Sequence, residues 1–407
     1  MKSPLRVLLI GRHFWPHGSV DSAGYLIQLA CGLYRRGTRV EILTPRYSPG
    51  WTKEFFFREM QVHRPASAAK SDWSMGRYTR HVTNWIREHA RTFDVLLVDA
   101  AREEAVAAID ATRSFRCRCV VRVTDDDLIW WETSRSARRC AGFCKTADRI
   151  VVSNSQTQRG LLTQGFSPSR IQRIEVGCEP AIATDESRRI QARRALAAIN
   201  SDLHAPPDEP VLLCLAPMKR KSGVQILVES ARHLVARYPT LHLWLIGDGP
   251  GRDSIYNTLR ADGVRASLAM PGSFGTLEDV FSAADLFVHT EDSGRQSFLP
   301  SAVAGGIPLV AIDNPTTREA FRLNDASRDQ SPLVHWYQPQ SPKSFRKAVR
   351  AVLDDLPASR ESAALLRREL LKRSSQVQVV NQYVQLFEKL RQERLSHPHG
   401  TSMGAVS

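Results

Sequence analysis

The feature that most constrains this chain is a repeated alternation of a short apolar run, a loop and an amphipathic helix. Residues 7–10 form the first run. Between 23 and 36, Leu26, Ile27, Leu29, Ala30 and Leu33 recur at helical spacing, Gly37 stops the helix, and 40–43 form the next run. Residues 95–98, 120–123 and 150–152 continue the series. A charged, Ala-rich stretch ending in Ala205-Pro206-Pro207-Asp208-Glu209-Pro210 interrupts it, and the rhythm then restarts at 211–215, with a helix at 224–237 and runs at 241–246, 286–289 and 309–312. Strands that are apolar throughout belong to parallel sheets covered by helices on both faces. The expected fold class is therefore α/β, with two doubly wound domains facing a cleft. The expected boundaries are 1–180 and 209–376, joined by a linker at 181–208 that contains one helix. The apolar face within 377–394 predicts a helix returning to the first domain, and 395–407 read as a flexible tail.

Composition excludes several alternatives. A chain of 407 residues, 42% hydrophobic and 24% charged, has core enough for two or three folded domains. No apolar run approaches the ~18 residues of a spanning helix, and the first residues read as a strand, not a signal peptide. Lys and Arg number 56 against 42 Asp and Glu, a net charge of +14. Such a surface attracts nucleotide phosphates or acidic lipid head groups. Nucleic acid is not an expected partner, because the basic residues are dispersed and no recognition motif occurs. The seven cysteines, without an export signal, fit free thiols in a reducing cytoplasm. The spacings Cys117-x-Cys119 and Cys140-x3-Cys144 are not those of a zinc finger, so no metal is expected.

Three segments carry candidate chemistry. The loop from Phe14 to Gly24, with Gly18, Ser22 and Gly24, joins a strand to a helix where a doubly wound sheet binds ligands. Gly247-Asp248-Gly249-Pro250 follows a later strand and permits close backbone approach. The third segment, 284–311, runs from Ala284-Asp285 through Glu291-Asp292-Ser293-Gly294-Arg295 to Gly305-Gly306-Ile307-Pro308: strand, polar loop, helix, strand. Asp125-Asp126-Asp127 reads as the cap of a helix starting near Leu128, with a metal cluster as the lesser alternative. Trp130 beside it either lines a pocket or packs.

The third segment resembles the donor-site region of nucleotide-sugar glycosyltransferases of the GT-B fold, family 4 (group 1). Phe14-Trp15-Pro16, Ala147-Asp148-Arg149-Ile150, Ile174-Glu175-Val176-Gly177 and Gly247-Asp248-Gly249-Pro250 resemble other parts of that family in the same order, over roughly 5–390. The resemblance implies two Rossmann-like domains and metal-independent transfer of a sugar with retention, without a cofactor. The implied donor is a nucleotide sugar and the implied acceptor a glycan or lipid-linked molecule. Surface polysaccharide assembly in the cytoplasm is the implied setting, and the basic balance admits a peripheral contact with an acidic membrane surface. The donor is expected near Lys219, Arg220, Lys221, Gly249, Gly294, Arg295 and Ser301, and the acceptor near Gly18, Ser22, Gly24 and Trp130. Asp125, Glu291 and Asp292 are the candidate catalytic residues. Five positions depart from the family pattern. Pro217 and Ser222 stand where it has Arg and Lys, Ser293 and Ser301 where it has a Glu pair, and Thr124 where it has His. Two readings stay open: neighbouring charges compensate, or the chain is a catalytically silent homologue that binds a partner protein or a glycan.

Overall fold

The computed structural model describes residues 3–17, 21–99, 101–113, 115, 117–179, 185–219, 222–291, 298–321 and 333–396. The chain divides into two compact units: Met1–Arg12, Leu29–Ile174 and Val380–Ser407 form one, and His13–Gln28 with Glu175–Val379 form the other.

Among the described residues, the sheet of the first unit has eight strands. In spatial order they are β3 (Glu54–Phe57), β4 (Met60–His63), β2 (Arg39–Leu43), β1 (Arg6–Gly11), β5 (Val95–Asp99), β6 (Arg118–Arg122), β7 (Arg149–Val152) and β8 (Ile171–Arg173). Every pair is parallel except the hairpin β3–β4. One face carries α2 (Asp72–His89), α3 (Glu103–Thr112), α4 (Asp125–Glu132), α5 (Arg135–Cys144) and α6 (Ser155–Thr163). They bury Tyr78, Val82, Ile86, Ile109, Trp131, Cys144 and Leu161 against Leu8, Ile10, Leu96 and Val121. From the C-terminal helix, Tyr383, Phe387 and Leu390 are buried, and Glu393 pairs with Arg149 at 2.8 Å.

The sheet of the second unit is wholly parallel. Its order is β11 (Leu268–Gly272), β10 (His242–Ile246), β9 (Val211–Leu215), β12 (Leu286–His289), β13 (Leu309–Ile312) and β14 (His335–Tyr337). Side chains alternate along each strand. Val211, Leu213 and Leu215 enter one core, with Trp244 and Phe287; Leu212 and Cys214 enter the other, with Leu245 and Val288. The helix at Glu186–Ile199 puts Ala192 and Leu196 into the first of these cores, so the segment expected as a linker is partly core of this unit.

Three strand starts share one device. Asp94, Asp148 and Asp285 each precede a strand. Each donates its backbone N–H to the carbonyl of a neighbouring strand's residue: Arg6, Cys119 and Val211 respectively. Each carboxylate then accepts the N–H of that same residue, at 3.0, 2.8 and 2.9 Å. The two-bond rings pin the amino ends of the pairs β1–β5, β6–β7 and β9–β12. At Asp285 three arginines converge as well: Arg193, Arg360 at 2.7 Å and Arg189 at 3.4 Å.

Two elements differ from the sequence reading. The acidic triplet does not precede its helix. α4 starts at Asp125 with Thr124 as N-cap, and Asp127 accepts from the Thr124 N–H and hydroxyl, both at 2.9 Å. Asp127 sits at the third helical position, the acidic half of a reciprocal capping box. The hairpin β3–β4 was not foreseen, because its turn uses Arg58 and Glu59 at φ 46° and 69° with no glycine to mark it.

Two predictions follow from these contacts. Replacing Asp285 by Asn leaves buried guanidinium charge uncompensated and is expected to cost about 3–5 kcal/mol in urea unfolding. Asp94→Asn, which keeps a side-chain oxygen to accept the Arg6 N–H, should cost about 1 kcal/mol. The second concerns His63, which faces Glu41 at 2.8 Å and Glu54 at 3.2 Å through its two ring nitrogens. A neutral imidazole donates only one hydrogen bond, so this geometry calls for the imidazolium. Burial opposes the charge, but the hydrogen bonds to Glu41 and Glu54 outweigh it and raise the pKa. The stabilisation is complete below the ordinary histidine value of about 6.5 and is lost as pH rises through the raised one. The gap in urea midpoint between wild type and His63→Gln should therefore shrink from pH 6 to pH 9.

Candidate functional site

Counting each unit's strands in chain order, the second sheet reads 3-2-1-4-5-6, so its strand order reverses between β9 and β12. In such sheets ligands bind beyond the carboxyl ends of the strands at this switch point. Three loops meet there. After β9 comes Ala216-Pro217-Met218-Lys219, after β10 Gly247-Asp248-Gly249, and after β12 Thr290-Glu291. Their backbones touch. A Cβ on Gly223 would lie 1.7 Å from the Thr290 carbonyl oxygen, one on Gly247 2.1 Å from the Ala216 oxygen, and one on Gly249 2.4 Å from the Met218 oxygen. Gly247 and Gly249 also adopt φ of 142° and 153°, which side chains other than glycine rarely tolerate. Hydrogen bonds Met218 N–H to Asp248 O (3.0 Å) and Gly251 N–H to Met218 O (2.8 Å) lock the first two loops together.

The side chains around this junction differ in kind. Lys219 is exposed, and its carbonyl accepts from the Ser222 hydroxyl at 2.9 Å. Glu291 is buried. His289, the last residue of β12, is 3% exposed, and its Nε2 has no hydrogen-bond partner among the described residues. Burial pushes its pKa down to about 4, so it is a neutral imidazole at pH 7. Ser301 lies on the short helix Phe298–Ala304 and accepts from Gln28 at 3.0 Å. Of the expected donor residues, Lys219, Gly249 and Ser301 are described. Arg220, Lys221, Gly294 and Arg295 lie outside the described residues, as do Asp292 and Gly18.

In the first unit, setting aside the hairpin strand β3, the sheet reads 3-2-1-4-5-6-7, with its switch point between β1 and β5. Here the protein's own charges fill the carboxyl ends. Arg12, just after β1, bonds Glu104 at 2.9 Å through Nε and again through Nη2, and Glu103 at 2.8 Å. Burial works to raise the Glu104 pKa, but Arg12 outweighs it and holds the carboxylate below its usual range. Tyr47 donates to the Arg12 carbonyl at 2.7 Å.

Asp125 is buried at the start of α4. Its two oxygens accept from Asn154 at 3.2 Å and from the Thr157 hydroxyl, tying α4 to α6. Trp130 is half-buried with the Arg102 guanidinium 5.0 Å from its ring centroid. Ser22 and Gly24 lie in the first turn of the helix Asp21–Arg35 and not in the preceding loop, because the helix begins two residues earlier than its apolar periodicity shows. Sequence reasoning missed Gly223 and His289. Gly223 stands alone beside a Lys-Arg-Lys run, and His289 ends an apolar strand where nothing in the sequence separates it from core. Among the described residues no group of three or more His, Cys, Asp or Glu is arranged to hold a metal ion.

Comparison with known proteins places this geometry. Residues 23–177 match the model of the glycosyl transferase 4-like domain, and residues 209–355 that of the glycosyl transferases group 1. The D-inositol 3-phosphate glycosyltransferase of Kineococcus radiotolerans is 25% identical over 87% of this chain and 88% of its own length. The lipopolysaccharide core biosynthesis glycosyltransferase LpsE of Rhizobium meliloti is 30% identical over 95 residues, which are 23% of this chain and 27% of that protein. Anabaena HepE, crystallised with UDP and glucose, shares the fold at TM-score 0.74 and 14% identity, over 94% of this chain and 99% of its own. Two family models that between them match most of the chain, and a shared fold along nearly the whole length, show that the chain belongs to the group 1, family 4-like glycosyltransferases of the GT-B fold.

Proposed function

We propose that the chain transfers a sugar from a nucleotide diphosphate donor, bound at the second unit, to a glycan or lipid-linked acceptor at the first. The transfer proceeds with retention at the anomeric carbon and serves surface polysaccharide assembly. The enzyme works on the cytoplasmic side, in peripheral contact with an acidic membrane. The observation that carries this reading is the backbone junction of Gly223, Gly247 and Gly249 at the β9–β12 switch point. Loops packed backbone to backbone at the carboxyl ends of the strands, with the exposed Lys219 at their edge, suit a diphosphate. The corresponding place in the first unit is taken by Arg12 and its two glutamates, which argues against a second diphosphate there. The UDP and glucose in HepE crystals and the lipopolysaccharide role in the name of LpsE support the donor class and the setting.

The chemistry asks little of a carboxylate base. The bond from the anomeric carbon to the diphosphate oxygen breaks while the acceptor oxygen bonds that carbon on the same face. The acceptor proton passes to the departing phosphate oxygen. Catalysis is then chiefly neutralisation of the leaving diphosphate, by Lys219, Arg220, Lys221 and Arg295 in place of the family's Arg and Lys. Asp125, held by Asn154 and Thr157, serves as a positioning residue for the acceptor side, and Glu291 and Asp292 flank the donor sugar.

Isothermal titration across UDP-, ADP- and GDP-sugars, followed by assays of nucleotide release with lipid-linked glycans, tests the reading. Converting Lys219, Arg220 and Lys221 together to Ala should weaken donor binding by about 1–3 kcal/mol. Gly223→Ala, whose methyl meets the Thr290 carbonyl, should lower donor affinity at least about tenfold. Binding without nucleotide release across the whole panel would favour the silent-homologue reading instead.

A further inference from the structure

We propose that a cavity at the free edge of the second sheet binds a small phosphorylated polyol, of the hexose phosphate kind. The cavity has a volume of about 310 Å³, the scale of a site for one small metabolite. Its walls come from β11, the helix Arg252–Ala261 and the turn Ser201–Leu203. β11 is the edge strand, so its outward carbonyls have no strand to bond. Two arginines cap them. Arg252 donates through Nη2 to the Met270 carbonyl at 2.6 Å, and Arg265 through Nη1 to that of Leu268 at 3.4 Å. Capping uses little of either guanidinium. The Nε of Arg252 is closed off from solvent and has no hydrogen-bond partner among the described residues. Arg265 gives its Nε–H to the Tyr256 hydroxyl at 2.8 Å, which leaves its Nη2 and the phenol's own proton available. Edge capping accounts for the presence of the two arginines, but not for a buried N–H left unbonded.

Asp202 and Asp253 line the same cavity. Among the described residues neither carboxylate pairs with Arg252, Arg265 or any other cation. Two cations and two anions that share one cavity without joining suit a ligand that carries groups for both. A phosphate takes charge-assisted bonds from the arginines and one from the phenol. The carboxylates accept from hydroxyls and repel a bare anion. The chemistry therefore selects a phosphate on a hydroxyl-rich body over inorganic phosphate. The cavity shares no residue with the glycine junction, so this ligand is a molecule other than the donor.

The test is isothermal titration of the full chain with glucose 6-phosphate, fructose 6-phosphate, glycerol 3-phosphate, inorganic phosphate and glucose. The expected result is that at least one of the three organic phosphates binds about tenfold or more tighter than inorganic phosphate, and that glucose does not bind. Arg265→Gln should weaken that binding at least about tenfold. Asp202→Asn with Asp253→Asn should weaken it several-fold and at the same time tighten inorganic phosphate, a split that a merely structural role would not produce. All three residues are exposed, so the urea midpoints should stay unchanged. Lys219→Ala, at the glycine junction, should leave the binding intact. The proposal is overturned if none of the organic phosphates binds, or if none binds tighter than inorganic phosphate. It is equally overturned if binding survives Arg265→Gln, if the double Asn variant leaves it unchanged or tightens it, or if Lys219→Ala abolishes it, which would place the phosphate at the donor junction.

Discussion

The second unit hangs on the carboxylate of Asp285. It closes the amino end of the β9–β12 pair by accepting the Val211 N–H, and it gathers Arg189, Arg193 and Arg360 from two helices that cover one face of the sheet. A lone buried carboxylate is costly, and so is a lone guanidinium; together, with a backbone amide in the same ring, they satisfy one another. Fixing the amino ends of β9 and β12 fixes their carboxyl ends too, since parallel strands in register leave no freedom between. The glycine-lined junction lies at those far ends. Asp94 makes the same ring at the β1–β5 pair of the first sheet. The same aspartate position thus pins both places where strand order reverses.

What the two switch points offer a ligand differs sharply. In the first unit, Arg12, Glu103 and Glu104 already satisfy one another, and a phosphate would have to break that network. In the second, backbone meets backbone across Gly223, Gly247 and Gly249, with a cation at the rim and a buried neutral imidazole at His289. At this junction no buried ion network of the kind around Arg12 has to be broken to admit an anion. The proposed assignment of the donor to the second unit rests on this contrast.

Much of the fold was legible because buried parallel strands announce themselves as continuous apolar runs. The strands at 95–98, 150–152, 211–215 and 309–312 lie within a residue of their expected limits. The hairpin at Glu54–His63 and the helix Asp72–His89 were not legible. The hairpin turns on non-glycine residues, and the helix mixes Trp73, Arg77 and Arg80 into what reads as a polar stretch. The collinear motifs marked the candidate site, but its physics was hidden. Nothing in the sequence says that Gly223 touches the Thr290 carbonyl, or that Asp94, Asp148 and Asp285 do one job, although each stands just before an apolar run. Nor does the sequence say that the two oxygens of Asp125 join α4 to α6.

The most direct measurement of the central claim is amide hydrogen exchange on the full chain with and without saturating UDP, ADP or GDP. If the diphosphate sits at the second switch point, protection rises in peptides covering 216–226, 247–252 and 289–301 for the nucleotide that binds, and Arg12 and 101–105 stay unchanged. Protection confined to the first unit around Arg12 and Glu104 would contradict the account.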